Sequence, residues 1–177
     1  FGGMSRFAIR HATPDDAAGV ARAQLESWRS SYRGILPDAV LEKLDLRRWI
    51  ESRRRIAAQS RRDRELLQLV AYDVSHGDIV GFCDAGPSRR NVAMAGEVYA
   101  LYLVQHAKRH GLGSEMLDIV TSWLRTRGRP SMIIWVLEGN HHARRFYEAR
   151  GGRLGPTFQS QVHGYPVLER AYLWDHL

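Results

Sequence analysis

The chain of 177 residues contains one cysteine, Cys83, and two lysines, Lys43 and Lys108. A single cysteine forms no internal disulfide and supplies no zinc-site spacing, so neither a disulfide scaffold nor a zinc module is expected. No apolar run approaches the ~18 residues that a membrane-spanning helix requires. No repeat period, low-complexity tract or Pro/Gly/Ser-rich linker divides the sequence. A basic-then-apolar signal segment is lacking, and Phe1-Gly2-Gly3 ahead of Met4 reads as a tag remnant. These absences predict a soluble, cytoplasmic protein with one domain over residues 4–177.

What is present is an ordinary globular balance, 44% hydrophobic and 25% charged, which argues against disorder and against a coiled coil. A chain of this length buries about 70% of the surface its unfolded form exposes, so it needs no metal or disulfide staple. Of the 26 basic residues 24 are arginine, and the formal net charge is +7. Such a charge attracts nucleic acid, acidic membrane or a phosphorylated cofactor alike, and does not choose among them.

Alternation over residues 6–11 predicts a first strand. Thr13-Pro14-Asp15-Asp16 then reads as a helix start, with the proline suited to the first turn and the acids to the positive dipole end. The helix is expected over residues 14–32, with Val20, Leu25 and Trp28 on its apolar side. Gly34 ends it. Two further helices are expected over 37–44 and 46–60, the second carrying Arg53, Arg54 and Arg55 as a solvated face. Apolar runs at 66–74 and 79–85 flank Ser75-His76-Gly77-Asp78, a hairpin signal. Residues 97–104 form the best strand in the chain and lead into a helix over 114–127. An apolar strand follows at 131–137, then a helix capped by Asn140 and ended by Gly151-Gly152. A closing hairpin is expected from 158–162 and 166–174. This order suggests a mixed α/β fold with one parallel crossover between the strands near 97–104 and 131–137.

The stretch that carries chemistry is the strand at 97–104, the loop to His110, and Gly111-Leu112-Gly113 at the start of a helix. A helix start offers unpartnered N–H groups and a partial positive charge. Two glycines permit close approach to the main chain, and Lys108, Arg109 and His110 add positive charge, so the turn suits a phosphate. A tight packing turn would look the same. Rival phosphate motifs fit poorly. Ser114-Glu115 follows Gly113 where a Walker loop needs Gly-Lys-Ser/Thr, and Met116 stands where a dinucleotide fingerprint needs a third glycine.

With these residues in view, the chain resembles the GCN5-related N-acetyltransferases, the GNAT family. That family's signature is Gln/Arg-x-x-Gly-x-Gly/Ala after its fourth strand, matched here by Lys108-Arg109-His110-Gly111-Leu112-Gly113. Lys108 departs from the usual Gln or Arg but keeps a donor. Asn140-His141-His142-Ala143-Arg144-Arg145-Phe146-Tyr147 is similar to the family's Asn-x-x-Ala-x-x-x-Tyr helix. Glu26-Ser27-Trp28 and Tyr32-Arg33-Gly34-Ile35-Leu36-Pro37 are like many members between the first two helices. The resemblance spans nearly the whole chain. It implies a mostly antiparallel sheet of about seven strands flanked by helices, with one β-α-β crossover. It also implies an acetyl-CoA-dependent transfer to a primary amine by direct attack in a ternary complex.

The resemblance further implies roles. Backbone groups of Leu101 and Leu103 would bond the pantetheine arm and the acetyl carbonyl. Lys108, Arg109, His110, Gly111, Leu112, Gly113 and Ser114 would hold the pyrophosphate, and Asn140 would cap a helix and touch the cofactor. Tyr147 would protonate the departing thiolate; by residue type alone it is a packing aromatic beside Phe146. Glu97 would serve as base or bind a cationic acceptor; by residue type alone it is a strand-end carboxylate. Trp28, Tyr32, Arg33 and His163 would border the acceptor. No metal is implied, the acceptor is a small-molecule or peptide amine, and a homodimer through the terminal strands is compatible with the family. Cys83 lies apart from the motif without a base partner and is no nucleophile. Two other readings stand: a CoA-binding regulatory domain without catalysis, and an arginine-rich nucleic-acid-binding module, which would need basic residues and aromatics on one face.

Overall fold

The structure, a computed structural model, describes residues 5–90 and 92–177. The tag remnant expected at residues 1–3 lies outside the described residues. Strand β1 (Phe7–His11) leads through a 3-10 turn (Pro14–Asp16) into α1 (Ala17–Ser31), and α2 (Asp38–Glu42) and α3 (Leu46–Arg62) follow. Strands β2 (Leu67–Asp73), β3 (Ile79–Pro87) and β4 (Gly96–Leu103) come next, then α4 (Leu112–Thr126), β5 (Met132–Leu137), α5 (His141–Ala149), β6 (Arg153–Val162) and β7 (Tyr165–Trp174). The expected first helix is thus a 3-10 turn plus α1, and β6 begins five residues earlier than expected, at Arg153. Leu154 and Phe158 of β6 are 51% and 43% exposed, so this edge strand has no buried face to produce a hydrophobic pattern.

Local chemistry sets these elements. The Thr13 amide donates to Asp16 Oδ2 at 2.8 Å, and Arg10 clamps the same carboxylate through two bonds of 2.8 Å. Asp45 caps α3 by accepting from the amides of Arg47 (3.0 Å) and Arg48 (3.3 Å). The seven strands form one sheet in the order β1-β2-β3-β4-β5-β7-β6. Among the described residues β4–β5 is the parallel pair and every other neighbouring pair is antiparallel.

Successive strand residues face opposite sides of the sheet, and the core divides accordingly. Val70 and Phe82 pack with Val20 of α1 on one side. Leu69, Ala71 and Cys83 pack with Met116, Leu117 and Val120 of α4 on the other, where Phe146 and Tyr147 of α5 join them. Helix α5 is tied to the sheet through Arg144, which donates from Nε to Tyr172 Oη (3.0 Å) and from Nη1 to the Glu138 carbonyl (2.9 Å).

Ion pairing absorbs much of the arginine. Among the described residues eleven arginines pair with acids: Arg6, Arg10, Arg48, Arg53, Arg89, Arg90, Arg129, Arg144, Arg150, Arg153 and Arg170. The arginine run of α3 departs from its expected solvated face at one position. Arg54 and Arg55 are exposed, but Arg53 is buried. It donates to Asp84 Oδ2 at 2.5 Å and to Gln24 Oε1 at 3.1 Å, with its guanidinium 4.2 Å from the Phe82 ring centroid. Burial pushes the Asp84 carboxyl up, and Arg53 opposes that shift.

Removing one member of a buried ion pair strands the other, so Arg53→Ala costs about 3–5 kcal/mol of stability near neutral pH. In that variant the folded pKa of Asp84 lies higher above its unfolded value of about 3.9, so the deficit is smallest in acid and grows as pH rises through this window. Urea unfolding from pH 4 to pH 8 measures it, and a deficit that does not change with pH would contradict the assignment.

Candidate active site

Strands β4 and β5 pair only at Gly96, Glu97 and Val98, opposite Met132, Ile133 and Ile134. Beyond that point β4 stays on β3 as far as Leu103, and β5 stays on β7 as far as Leu137. The register between β3 and β4 slips at Tyr99, a bulge that bends β4 where the two strands part. Main-chain groups on the inner edges of the fork therefore lack a strand partner, and such groups seek hydrogen bonds. A cavity of about 640 Å³ occupies the fork. Residues 97–103 of β4, 134–137 of β5, the first turn of α4 and one face of α5 form its walls. Trp28, Ser31 and Tyr32 at the end of α1 and Val162, Val167 and Glu169 of the last hairpin close the far side.

At one end the cavity is built for an anion. Arg109 and Gly111 both have positive φ, +64° and +78°, so the chain makes two left-handed steps before α4 begins. The first intrahelical bond runs from the Glu115 amide to the Gly111 carbonyl (3.0 Å), and no side chain caps the helix. The amides of Leu112, Gly113 and Ser114 precede that bond, and all three residues line the cavity. The two glycines serve different needs. Gly111 supplies the left-handed conformation, whereas a Cβ on Gly113 would stand 3.2 Å from Phe146 Cζ, so its absence lets α4 approach α5. Lys108, Arg109, His142 and Arg145 line the same end. Partial burial lowers the Lys108 pKa, and its Nζ reaches Ser31 Oγ at 3.5 Å. Burial, reinforced by the nearby Lys108, Arg145 and Arg109 charges, lowers the His142 pKa.

Tyr147 is buried and also lines the cavity. Its ring packs against Phe146, Tyr172 and Trp174 at centroid distances of 5.5, 6.0 and 6.3 Å. Burial pushes its hydroxyl pKa far up, so the phenol keeps its proton throughout the working range. Asn140 caps α5 by accepting from the Ala143 amide (3.3 Å) and also lines the cavity. Leu101 and Leu103 lie on the stretch of β4 that has parted from β5, and their side chains pack against the main core.

At the other end Glu97 is 1% exposed. Its Oε1 accepts from the Arg89 amide (3.0 Å), and its Oε2 accepts from Arg89 Nε (3.0 Å) and Nη2 (2.7 Å). The Arg89 guanidinium lies 4.1 Å from the ring centroid of Tyr99, whose hydroxyl donates to the Pro87 carbonyl and is pushed up to about 12 by burial. Trp28 meets Tyr32 edge-on at 5.1 Å, and the hydroxyls of Tyr32 and Tyr102 share a hydrogen bond of 3.0 Å.

Three residues expected at the site lie elsewhere. The His110 side chain meets the Phe7 ring edge-on at 5.0 Å, outside the cavity, because the left-handed step at Arg109 turns it toward β1. Arg33 is exposed beside a shallow recess with Arg22 and Arg29. His163 is exposed at the tip of the β6–β7 hairpin with φ +47°. Conversely, Arg89, Arg90, Tyr99, Trp135, His142, Arg145 and Glu169 line the cavity without having been singled out from the sequence. His142 and Arg145 were within reach, since they lie in the same motif helix as Tyr147. Arg89 and Arg90 sit in a loop with no motif, and only their acid partners reveal them. Among the described residues no three His, Cys, Asp or Glu side chains gather to hold a metal, and no helix is long and apolar enough to cross a membrane.

The chain that carries this fork, with a helix start and a buried tyrosine among its lining residues, belongs to a family of acyltransferases. A model of the acetyltransferase (GNAT) family matches residues 23–152, and the chain belongs to that family. It is an N-acetyltransferase, and acetyl-CoA is the donor that its family uses. It is 29% identical over 170 residues to the uncharacterized N-acetyltransferase YuaI of Bacillus subtilis, covering 96% of this chain and 93% of that protein. It is 30% identical over 156 residues to a Mycobacterium tuberculosis protein named "Probable N-acetyltransferase Rv2775", covering 87% of this chain and 84% of that one. Among solved structures, PaiA N-acetyltransferase of Thermoplasma acidophilum in complex with coenzyme A superposes with a TM-score of 0.72 at 19% identity, over 93% of this chain and 97% of that one. The ribosomal-protein-alanine N-acetyltransferase of Brucella melitensis superposes with a TM-score of 0.67 at 23% identity, over 96% and 99%.

The anion end gives a direct prediction. Gly111→Asp meets open space but must adopt a left-handed backbone, and it brings a carboxylate to the helix start. Together these effects weaken acetyl-CoA binding by at least about 100-fold while the fold persists, as calorimetric titration beside circular dichroism will show. Unchanged affinity would mean that the turn serves packing alone.

Proposed function

We propose that the fork holds acetyl-CoA and that the enzyme passes the acetyl group directly to a primary amine within a ternary complex. The observation that carries this reading is the gap in sheet pairing beyond Val98 and Ile134, flanked by the uncapped start of α4. In this reading the pyrophosphate sits on the amides of residues 111–114, with Lys108, Arg109 and Arg145 supplying counter-charge. The pantetheine arm takes the place of a strand along the free edge of β4, bonding the backbones of Leu101 and Leu103. PaiA, a protein of the same fold, forms a complex with coenzyme A, which supports coenzyme A as the ligand. A backbone N–H aimed at the thioester oxygen stabilises the developing oxyanion, a contribution of about 3 kcal/mol where such donors have been removed.

The amine must reach the thioester uncharged, because an ammonium has no lone pair. Glu97 Oε1 accepts a single hydrogen bond, from the Arg89 amide, and keeps lone-pair capacity to take the ammonium proton through a water. The amine nitrogen then attacks the carbonyl carbon, the C–N bond forms, and the C–S bond breaks. Tyr147 gives its proton to the departing thiolate, and the surplus N–H proton that the acetylated nitrogen sheds as the amide forms restores the phenol. Trp28 and Tyr32 border the acceptor from the side of α1.

Tyr147→Phe lowers kcat about 100-fold and leaves the acetyl-CoA Kd within about twofold, because it removes a proton used only as the thiolate leaves. Steady-state thiol release with an amine panel, beside calorimetry with acetyl-CoA and ATP, checks this. Full activity would retire Tyr147 as the acid. Tight acetyl-CoA binding with no turnover against any amine would favour a regulatory domain without catalysis.

A further inference from the structure

Lys108, Arg109 and Arg145 account for the positive charge at the phosphate end of the cavity. At the acceptor end the lining charges are two acids and two arginines, and they are already matched. Glu97 accepts three hydrogen bonds from Arg89, and Glu169 Oε2 accepts from Arg90 Nη2 at 2.6 Å. An acceptor that carries several ammonium groups would need several carboxylates to replace its hydration, and among the described residues this end offers two, each already holding an arginine.

The two arginines differ in what they can still do. Arg90 is wedged between aromatic rings, 4.5 Å from the Trp135 centroid and 3.8 Å from that of Phe158, with its Nη1 sealed from solvent. It is a fixed part of the wall. The Arg89 side chain is 59% exposed. It uses Nε and one N–H of Nη2 on Glu97, which occupies the side edge of the guanidinium fork. Among the described residues nothing occupies its end edge, formed by Nη1 and the second N–H of Nη2. That edge matches the two oxygens of a carboxylate. Glu97 on one side and the Tyr99 ring 4.1 Å away hold the plane in place, so little side-chain freedom remains to be lost when a ligand binds.

We infer that the acceptor is an amino-carboxylate, with its carboxylate on the free edge of Arg89 and its amine directed toward the thioester. This inference rests on the transferase reading of the site. Arg89 then determines specificity, and Glu97, which faces both the guanidinium and the amine, ties recognition of the acid to removal of the amine proton.

The test uses the full chain, acetyl-CoA and matched sets of free amino acids, their primary amides and their decarboxylated amines, read by thiol release. The expected result is a KM for the accepted amino acid at least about tenfold below that of its amide, from the charge-assisted bonds. Arg89→Gln raises the KM of the acid about tenfold, leaves that of the amide within about twofold, and does not change the acetyl-CoA Kd. Because Arg89→Gln strands a buried carboxylate, Arg89→Gln/Glu97→Gln is measured beside it. The acid-to-amide KM ratio then reports recognition even if kcat falls. Arg89→Lys keeps part of the preference. An amide or simple amine with a KM equal to or below that of its acid overturns the inference, as does a preference that survives both variants. Acetyl-CoA binding with no amino acid acetylated overturns it as well. Failure of the wild-type protein to bind acetyl-CoA would instead sink the transferase reading, and this inference with it.

Discussion

The site depends on a place where the sheet stops pairing. Parallel strands β4 and β5 share only the Gly96, Glu97 and Val98 positions before they part, and the Tyr99 bulge turns β4 away at that point. An unpaired strand edge inside a protein is costly, because its N–H and C=O groups are removed from bulk water without partners. The fold bears that cost by opening a cavity at the fork and by anchoring both sides of it. The β3–β4 ladder holds one arm as far as Leu103, and the β5–β7 ladder holds the other as far as Leu137. The helices after these strands start where the arms end, so α4 brings an uncapped N-terminus and α5 brings Tyr147 to the same opening.

Buried charge organises the rest. Three interior acids, Glu97, Asp84 and Asp73, each take bonds from an arginine, and two of them also accept from a main-chain amide. These contacts hold segments that lack regular structure. Glu97 fixes the backbone after β3, and Asp73 fixes the β2–β3 turn through the Ser75 amide. The abundance of arginine, which from composition alone suggests a polyanion-binding surface, is in good part an internal scaffold. The guanidinium suits this use because its several N–H groups span a carboxylate and still leave an edge for something else.

The fold was largely legible in the sequence because its signals are local. Apolar alternation marked β1, residues 97–104 read as the best strand and became β4, the Thr13-Pro14-Asp15-Asp16 run marked the approach to α1, and Asn140 marked the start of α5. The glycine pair at 111 and 113 pointed to the helix start, although the structure divides their reasons between backbone handedness and contact with Phe146. Less legible was whatever depends on partners distant in sequence. Arg53 reads as one of three surface arginines until Asp84, 31 positions away, is seen beneath it. His110 sits within the motif, yet its ring turns to Phe7 across the fold. Arg89 and Arg90 have no motif at all, and their place in the site follows from Glu97 and Glu169 on two different strands. Strand β6 was seen only in part because it lies at the sheet edge with no fully buried residue, and its first half has no hydrophobic periodicity to show.

The fork also separates two kinds of information. One half of the cavity is written in main-chain amides and strand edges, which survive most side-chain replacements. The other half is written in side chains carried by a motif-free loop, the end of α1 and the last hairpin. Mutation can therefore rewrite the second half while the first keeps working. A descendant of this chain has a short route to a new partner molecule, since it need change only the side chains along that rim and can keep the reagent it already holds.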